Sequence, residues 1–395
     1  MSDDPGLGGN PFGGFDPEAF RDAPLFRELQ RVMASSTGPI NWELARQVGI
    51  ASAAEAAGDD RDPTDADRMS IDESVRVAEL HVARFTGLEP PTDVAQVRAI
   101  RRAEWVTANT ETLKTLLEPA AVRMVDAMER AMREQIPEDL GPMAGLLSQL
   151  GPLLQGTQVG TVLGALAQQV LGQYDVAVPR SGSNDLLFVV PNIAAFEHNW
   201  SLEPREFRTY VALHEMTHRF EFGRPWVRTR FIELVDDYLS TLTIDVGAIR
   251  ERFATLDAGD PEALQRAMES DDGMFGAVLD DEQRLKLARI QAFMAAAEGY
   301  ADHVMHALGE ELLATFARIE EAMRRYRETE TADAVFERLL GVEMKRERYA
   351  AGRAFCDTVV ELTDEATLAR VWESGEAMPS LPEIEEPRLW LARTV

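Results

Sequence analysis

Apolar residues recur three and four positions apart over most of the chain, and that period predicts helices. Residues 17–35 and 41–57 read as short amphipathic helices, the second opening after Gly38-Pro39. The same spacing runs from Asp65 to Arg84, from Pro91 to Thr115 and over 117–136. Leu140 to Tyr174 carries no charged residue, but Pro142, Gly151, Pro152, Gly156 and several glutamines interrupt it. A membrane-spanning helix needs about 20 mostly apolar residues in a row, so this stretch predicts two short buried helices instead. The clearest strand is Asp185 to Pro191, compact, apolar and partly β-branched, bounded by Ser181-Gly182-Ser183-Asn184 and a proline. Helices are predicted again over 204–222 and from Asp281 to Leu308. Between them, from about Asp236 to Asp281, the chain is polar, with turn signals at 257–261 and 271–273.

The resulting fold class is mainly α with a small β element (α+β). Four regions follow: a disordered tail over 1–18, an N-terminal helical region over 19–180, a metal-binding region over 181–375, and an irregular C-terminal tail over 376–395. Pro379, Pro382 and Pro387 break up that last tail, and Trp390 and Leu391 are expected to pin it to the surface.

Charge narrows the partners. The 395 residues hold 68 Asp and Glu against 40 Lys and Arg, a net charge of -28. Such a surface repels phosphate backbones and anionic membranes, so neither a nucleic acid nor a membrane is expected as a partner. With Cys356 as the one cysteine, an intramolecular disulfide and a cysteine-built zinc site are both excluded. In the helical-looking run Arg353 to Asp357 it reads as a small buried hydrophobe. The N-terminus, MSDDPGLGGNPFGGF, has neither the basic region nor the apolar region of a secretory signal, which predicts a cytoplasmic protein.

Six histidines occur, and two stand in Val211-Ala-Leu-His214-Glu215-Met-Thr-His218, an H-E-x-x-H motif. Phe207, Val211, His214 and His218 are spaced 4, 3 and 4 apart on the predicted 204–222 helix. Both imidazoles therefore extend an apolar face, about one turn apart, where they can share one Zn2+ ion. Glu215 lies about 100° further round the helix, beside such a metal, where a general base for hydrolysis belongs. Two partly exposed histidines with a surface glutamate are the plainer alternative. On the later helix, Glu298 and Asp302 are four apart in a stretch of small apolar residues from Ala292 to Ala301. Carboxylates are costly there unless paired. A metal for Glu298, and the outer nitrogen of a ligand histidine for Asp302, would pair them; exposure of both to solvent would also serve. His303 and His306 can be further ligands, oxyanion donors or ordinary helix residues. His81 and His198 read as structural.

H-E-x-x-H followed far downstream by E-x-x-x-D is similar to the gluzincin metallopeptidases. That resemblance implies His214, His218 and Glu298 as zinc ligands and Asp302 as the residue orienting a ligand histidine, although the gap before Glu298 is longer than gluzincins typically have. The stretches PNIAAFEHNWSL, LHEMTHRFEF, AAAEGYADHVM and LLGVEMKRERYAAGRAFCD resemble a family of bacterial zincin-like hydrolases associated with deazaflavin-cofactor biosynthesis. The likeness implies a zincin-like core and a zinc site, and says little about substrate. A hydrolytic site needs an oxyanion donor. Among Tyr300, Tyr326 and Tyr349, the last is favoured because Lys345 to Tyr349 falls in a family-like stretch. The expected activity is metallopeptidase action on a peptide or small amide, with Glu215 as base. The 185–190 strand edge is a candidate for pairing with an extended peptide. A non-catalytic zinc-binding scaffold is the alternative from another class.

Overall fold

The computed structural model describes residues 38–55, 60–135, 141–175, 185–241, 280–326 and 346–394, without the side chains of 124, 127–150, 346, 347 and 349. The predicted tail over 1–18, the helix over 17–35 and the turns at 257–261 and 271–273 lie outside these residues.

In chain order the elements are α1 (Trp42–Ala54), α2 (Asp65–Thr86), β1 (Val97–Ile100), α3 (Arg102–Gln135), α4 (Gly141–Gln169), β2 (Leu186–Val189), α5 (Val190–Asn199), α6 (Pro204–Phe222) and α7 (Pro225–Thr241). They continue with α8 (Asp281–Leu312), α9 (Phe316–Tyr326), α10 (Arg346–Leu362) and α11 (Glu365–Ala369), then a 3-10 turn, α12 (Leu381–Glu385) and α13 (Pro387–Thr394). The protein is mainly helical, with one small sheet of two parallel strands.

Polar ends explain where several helices start. Asn41 caps α1 by accepting from Leu44 N at 2.9 Å. Thr64 and Asp67 form a reciprocal capping box on α2, as Asp280 and Gln283 do on α8. Three expectations need correction. The run from Pro91 to Thr115 is not one helix: it holds β1, and α3 begins only at Arg102. Val97 to Ile100 becomes a strand because β2 lies beside it, in register Val97↔Leu186 to Ile100↔Val189. That partner is distant in sequence, so no local pattern announces it. Separate helices were expected over 117–136 and, at the prolines and glycines, within Leu140 to Tyr174, yet α3 and α4 run unbroken through Pro119 and Pro152. A proline removes one backbone hydrogen bond. Buried Leu116, Leu117, Ala120 and Ala121 keep α3 continuous around it. In α4, Val159, Leu163, Leu166 and Ala167 are buried within a helix that packs on α1 and α3, which accounts for its lack of charge. Among the described residues no helix is long and apolar enough to cross a membrane.

The C-terminal segment is also more ordered than expected. Ser380 and Glu383 form a capping box at α12, and Pro382 and Pro387 sit in first turns, where a missing N–H costs nothing. Trp390 is fully buried: its ring meets Phe355 of α10 edge-on, and its Nε1 donates to Ala377 O at 2.7 Å.

The core is organised round α6 and α8. α6 packs between α2 and α8, and α10 covers another side of α8. From Ile290 to Ala301 every residue of α8 is buried, as a helix apolar on all sides must be. Any carboxylate in that stretch needs a partner.

Candidate metal centre

α6 spans Pro204–Phe222, the predicted bounds. Its N-cap is Glu203, whose side chain accepts from Glu206 N at 2.7 Å; Pro204 follows in the first turn. Ser201, expected as a start signal, instead occupies a left-handed turn with φ 49°. After Phe207 the helix is almost wholly enclosed, so His214 and His218 point into protein with little solvent about them.

Helix α8 brings Glu298 to the same point. One ligand atom each from His214, His218 and Glu298 lies within 4.8 Å of the others. His218 Nε2 is 3.6 Å from Glu298 Oε1. Two ligands each about 2 Å from one zinc, at a tetrahedral angle, are about 3.3 Å apart. The donor set fits the ion in kind as well: two imidazoles and one carboxylate are the set of an open zinc site.

His218 has a carboxylate on its other side. Its Nδ1 is 2.8 Å from Glu221 Oε2, and both side chains are fully buried. At His218, then, the outer contact expected of Asp302 is made by Glu221. An acid three residues after the second histidine, between Phe220 and Phe222, was the signal available in the sequence. Burial pushes the Glu221 carboxyl well above its ordinary range, and the charge of Glu298 adds to the effect.

Glu215 is held by a segment that carries no motif. Between α4 and β2, residues 171–175 form a turn against the start of α6's motif. Glu215 Oε2 accepts from Gln173 N at 2.8 Å and from Tyr174 N at 2.9 Å. Its Oε1 is buried, makes no hydrogen bond and lies 3.6 Å from His214 Nδ1. Asp175 Oδ1 lies 3.9 Å from the same nitrogen, and Asp175, His214 and Glu215 form a second group able to hold a cation. Burial raises the Glu215 carboxyl to about 7, the charge of Asp175 adding to it. Burial opposes charge on His214, but its contact with Glu215 and the fields of Asp175, Glu215 and Glu298 outweigh that and raise the imidazole to about 9. The pocket thus gathers several carboxylates round two imidazoles, and a divalent cation held among them would neutralise that charge with displacement of protons.

The other predicted residues are placed as follows. Asp302 is half-buried one turn beyond Glu298, and its charge is among those that hold up the buried Cys356 thiol. His303 is engaged at both nitrogens, with Asp357 at 2.6 Å and Glu365 at 3.0 Å. His306 turns to Glu320 at 3.1 Å near the surface. Tyr300 is buried against Trp372, and the Tyr326 hydroxyl donates to Gln169 O at 3.1 Å. Tyr349 belongs to α10, but its side chain lies outside the described residues. His81 is half-buried and His198 exposed. The predicted peptide-binding edge of β2 is covered: Phe188 pairs with Ala99 on one side and bridges to Gly172 on the other, and all four strand residues are buried.

An H-E-x-x-H helix meeting a glutamate from a later helix defines a metal-dependent hydrolase of the zincin type. Residues 40–391 match the family model of the zincin-like metallopeptidases, and the chain belongs to that family. It is also similar to the crystal structure of a "putative hydrolase with a novel fold" from Chloroflexus aurantiacus. The two share 32% identity with a TM-score of 0.65, over 90% of this chain and 98% of that one. No curated protein matches the chain. Neither match speaks to deazaflavin metabolism.

Proposed function

We propose that the protein is a zinc-dependent hydrolase of peptide or small amide bonds, with His214, His218 and Glu298 as metal ligands and Glu215 as general base. Membership of the zincin-like family supports the zinc and the hydrolysis; the roles of single residues rest on the site's geometry. The observation that carries the reading is the Glu215 carboxylate. One oxygen is fixed by two backbone N–H groups, while the other is buried and makes no hydrogen bond beside His214. A purely structural zinc site has no use for a carboxylate held ready in this way.

A zinc ion held here would polarise the scissile carbonyl and acidify a water molecule. Glu215 Oε1 takes the proton of the attacking water and passes it to the leaving nitrogen. Glu221 keeps the His218 ring from rotating, so that Nε2 stays turned toward Glu298.

The test is Glu215→Gln. The glutamine carbonyl can still accept from Gln173 N and Tyr174 N, so zinc content and thermal stability should stay near wild type. Turnover, found first with a broad screen of peptides and small amides, should fall roughly 10²–10⁴-fold, as when a general base is lost. A wild type whose zinc is closed off by a fourth protein ligand, and which hydrolyses nothing, would be a scaffold instead.

A further inference from the structure

The turn at 171–175 is anchored far more firmly than a connection between two elements requires. Leu171 O accepts from Val189 N of β2 at 2.8 Å. Gly172 O accepts from Trp105 Nε1 of α3 at 3.2 Å. Gln173 Nε2 donates to Asn109 Oδ1 of the same helix at 3.0 Å. Asp175 Oδ2 closes the turn on itself, accepting from Gly172 N at 2.9 Å and from Leu171 N. Just before it, buried Asn192 of α5 donates to Val170 O at 2.6 Å and Ala167 O at 2.9 Å, tying down the end of α4.

What this frame presents to the site is two backbone N–H groups, one carboxylate and one missing side chain. The N–H groups of Gln173 and Tyr174 converge on Glu215 Oε2. Asp175 Oδ1 lies 3.9 Å from His214 Nδ1, close enough for its charge to act on the ring, with Glu215 Oε1 at 3.6 Å from the same nitrogen. At Gly172 a Cβ would come within 2.3 Å of both Cδ and Oε1 of Glu215, so only glycine leaves the carboxylate where it is.

We propose that the Leu171–Asp175 turn is the positioning element of the centre, fixing Glu215 with its backbone and orienting His214 with the Asp175 carboxylate. The proposal rests on the hydrolase reading above and deepens it. Glu221 hydrogen-bonds His218 Nδ1 at 2.8 Å, whereas Asp175 acts on His214 through its charge, 3.9 Å from Nδ1. Both residues lie outside the E-x-x-x-D pair. The turn holds Glu215 through Oε2 and packs against Oε1 at Gly172. Because the turn is braced by β2, α3 and α5, the geometry is set before any substrate arrives, and little is left to be organised during the reaction.

The full-length protein, loaded with zinc, tests this without reliance on turnover. Zinc affinity is measured by competition with a chromophoric chelator for Asp175→Asn, Asp175→Ala, Asp302→Asn and Glu298→Ala. Loss of an outer carboxylate should weaken zinc roughly 10–100-fold, with Asp175→Asn retaining more than Asp175→Ala because it keeps an acceptor oxygen. An unchanged affinity in Asp175→Ala overturns the proposal. So does a loss as large as that of Glu298→Ala, which makes Asp175 a ligand, or a larger loss in Asp302→Asn than in Asp175→Asn. The clamp on Glu215 is read from a stability cycle. Gly172→Ala should lower Tm strongly in the wild type and at most half as much in a Glu215→Ala background, where the colliding carboxylate is gone. Equal losses in both backgrounds, or failure to fold in both, overturn the clamp. Where turnover is found, Gly172→Ala should lower kcat with little change in KM. A wild type without turnover would count against the hydrolase reading while leaving the zinc and Tm results to judge the turn.

Discussion

Gly352 of α10 lies directly against Ala295 of α8: a Cβ on Gly352 would be 1.9 Å from the Ala295 carbonyl oxygen. One turn along, a Cβ on Gly299 would be 2.2 Å from the Gly352 carbonyl carbon. The two helices therefore touch backbone to backbone, and Glu298 is next to the contact. The position of the third proposed ligand is set by how closely α10 can approach α8.

Gly352→Ala should accordingly force the helices apart. Overpacking of this kind costs about 1–3 kcal/mol, visible as a lower Tm in the metal-free protein. Zinc affinity should fall with it, because Glu298 moves relative to His214 and His218. A variant with wild-type Tm and affinity would show that the crossing has slack and does not set the site.

The ligand set can be tested directly. Purified protein should carry about one zinc per chain by metal analysis. His214→Ala, His218→Ala and Glu298→Ala should each lose it. His306→Ala should keep it, since that ring turns to Glu320 at 3.1 Å. Zinc lost with His306 and kept without Glu298 would make the site histidine-rich and remove the likeness to gluzincins.

How far these features could be read from the sequence depends on whether their causes are local. The α6 helix and its two histidines were legible because helical period and an H-E-x-x-H motif lie within one element. Glu298 was legible because a lone carboxylate in an apolar helix demands a partner. Strand β1 was not, since Val97–Ile100 is a strand only through its pairing with Leu186–Val189. Pro119 and Pro152 look like helix ends to any local rule, yet α3 and α4 continue through them, the first with Leu116, Leu117, Ala120 and Ala121 buried on either side. The 171–175 turn was the hardest to find. Its function comes from main-chain N–H groups and from an absent side chain at Gly172, neither of which a residue pattern can show. Glu221 is an intermediate case: the spacing was visible, but its contact with His218 Nδ1 depends on side-chain rotamers.

Glu221 supports a separate expectation. Glu221→Ala leaves His218 Nδ1 without its buried partner at 2.8 Å. Zinc affinity should fall roughly 10–100-fold, the usual cost of removing the group behind a ligand histidine. Glu221→Gln, which keeps a carbonyl acceptor of the same size, should recover part of it in the same chelator competition. Unchanged zinc affinity in Glu221→Ala would mean that packing against Phe222 and Tyr174 alone holds the ring.

The last expectation concerns pH, through His303, which lies away from the ligands on α8. Its ring is gripped by Asp357 of α10 at 2.6 Å and Glu365 of α11 at 3.0 Å, with Phe85 of α2 alongside and Arg353 3.5 Å from Asp357. Burial disfavours the charged ring, but the hydrogen bonds and charges of Glu365 and Asp357 prevail and raise it above its ordinary value of 6.5. A group whose affinity for protons is greater folded than unfolded stabilises the fold while it is charged in both states. That contribution is complete below about pH 6.5 and disappears as pH rises through the higher folded value. The metal-free protein should therefore lose thermal stability on going from pH 6 toward alkaline pH, and part of that loss should be absent in His303→Gln. The comparison is made as Tm against pH for the two proteins in parallel. Identical slopes would show that the imidazolium does not fasten α10 and α11 to α8, and that the apolar contacts of Phe355 and Val359 hold the helices together without it.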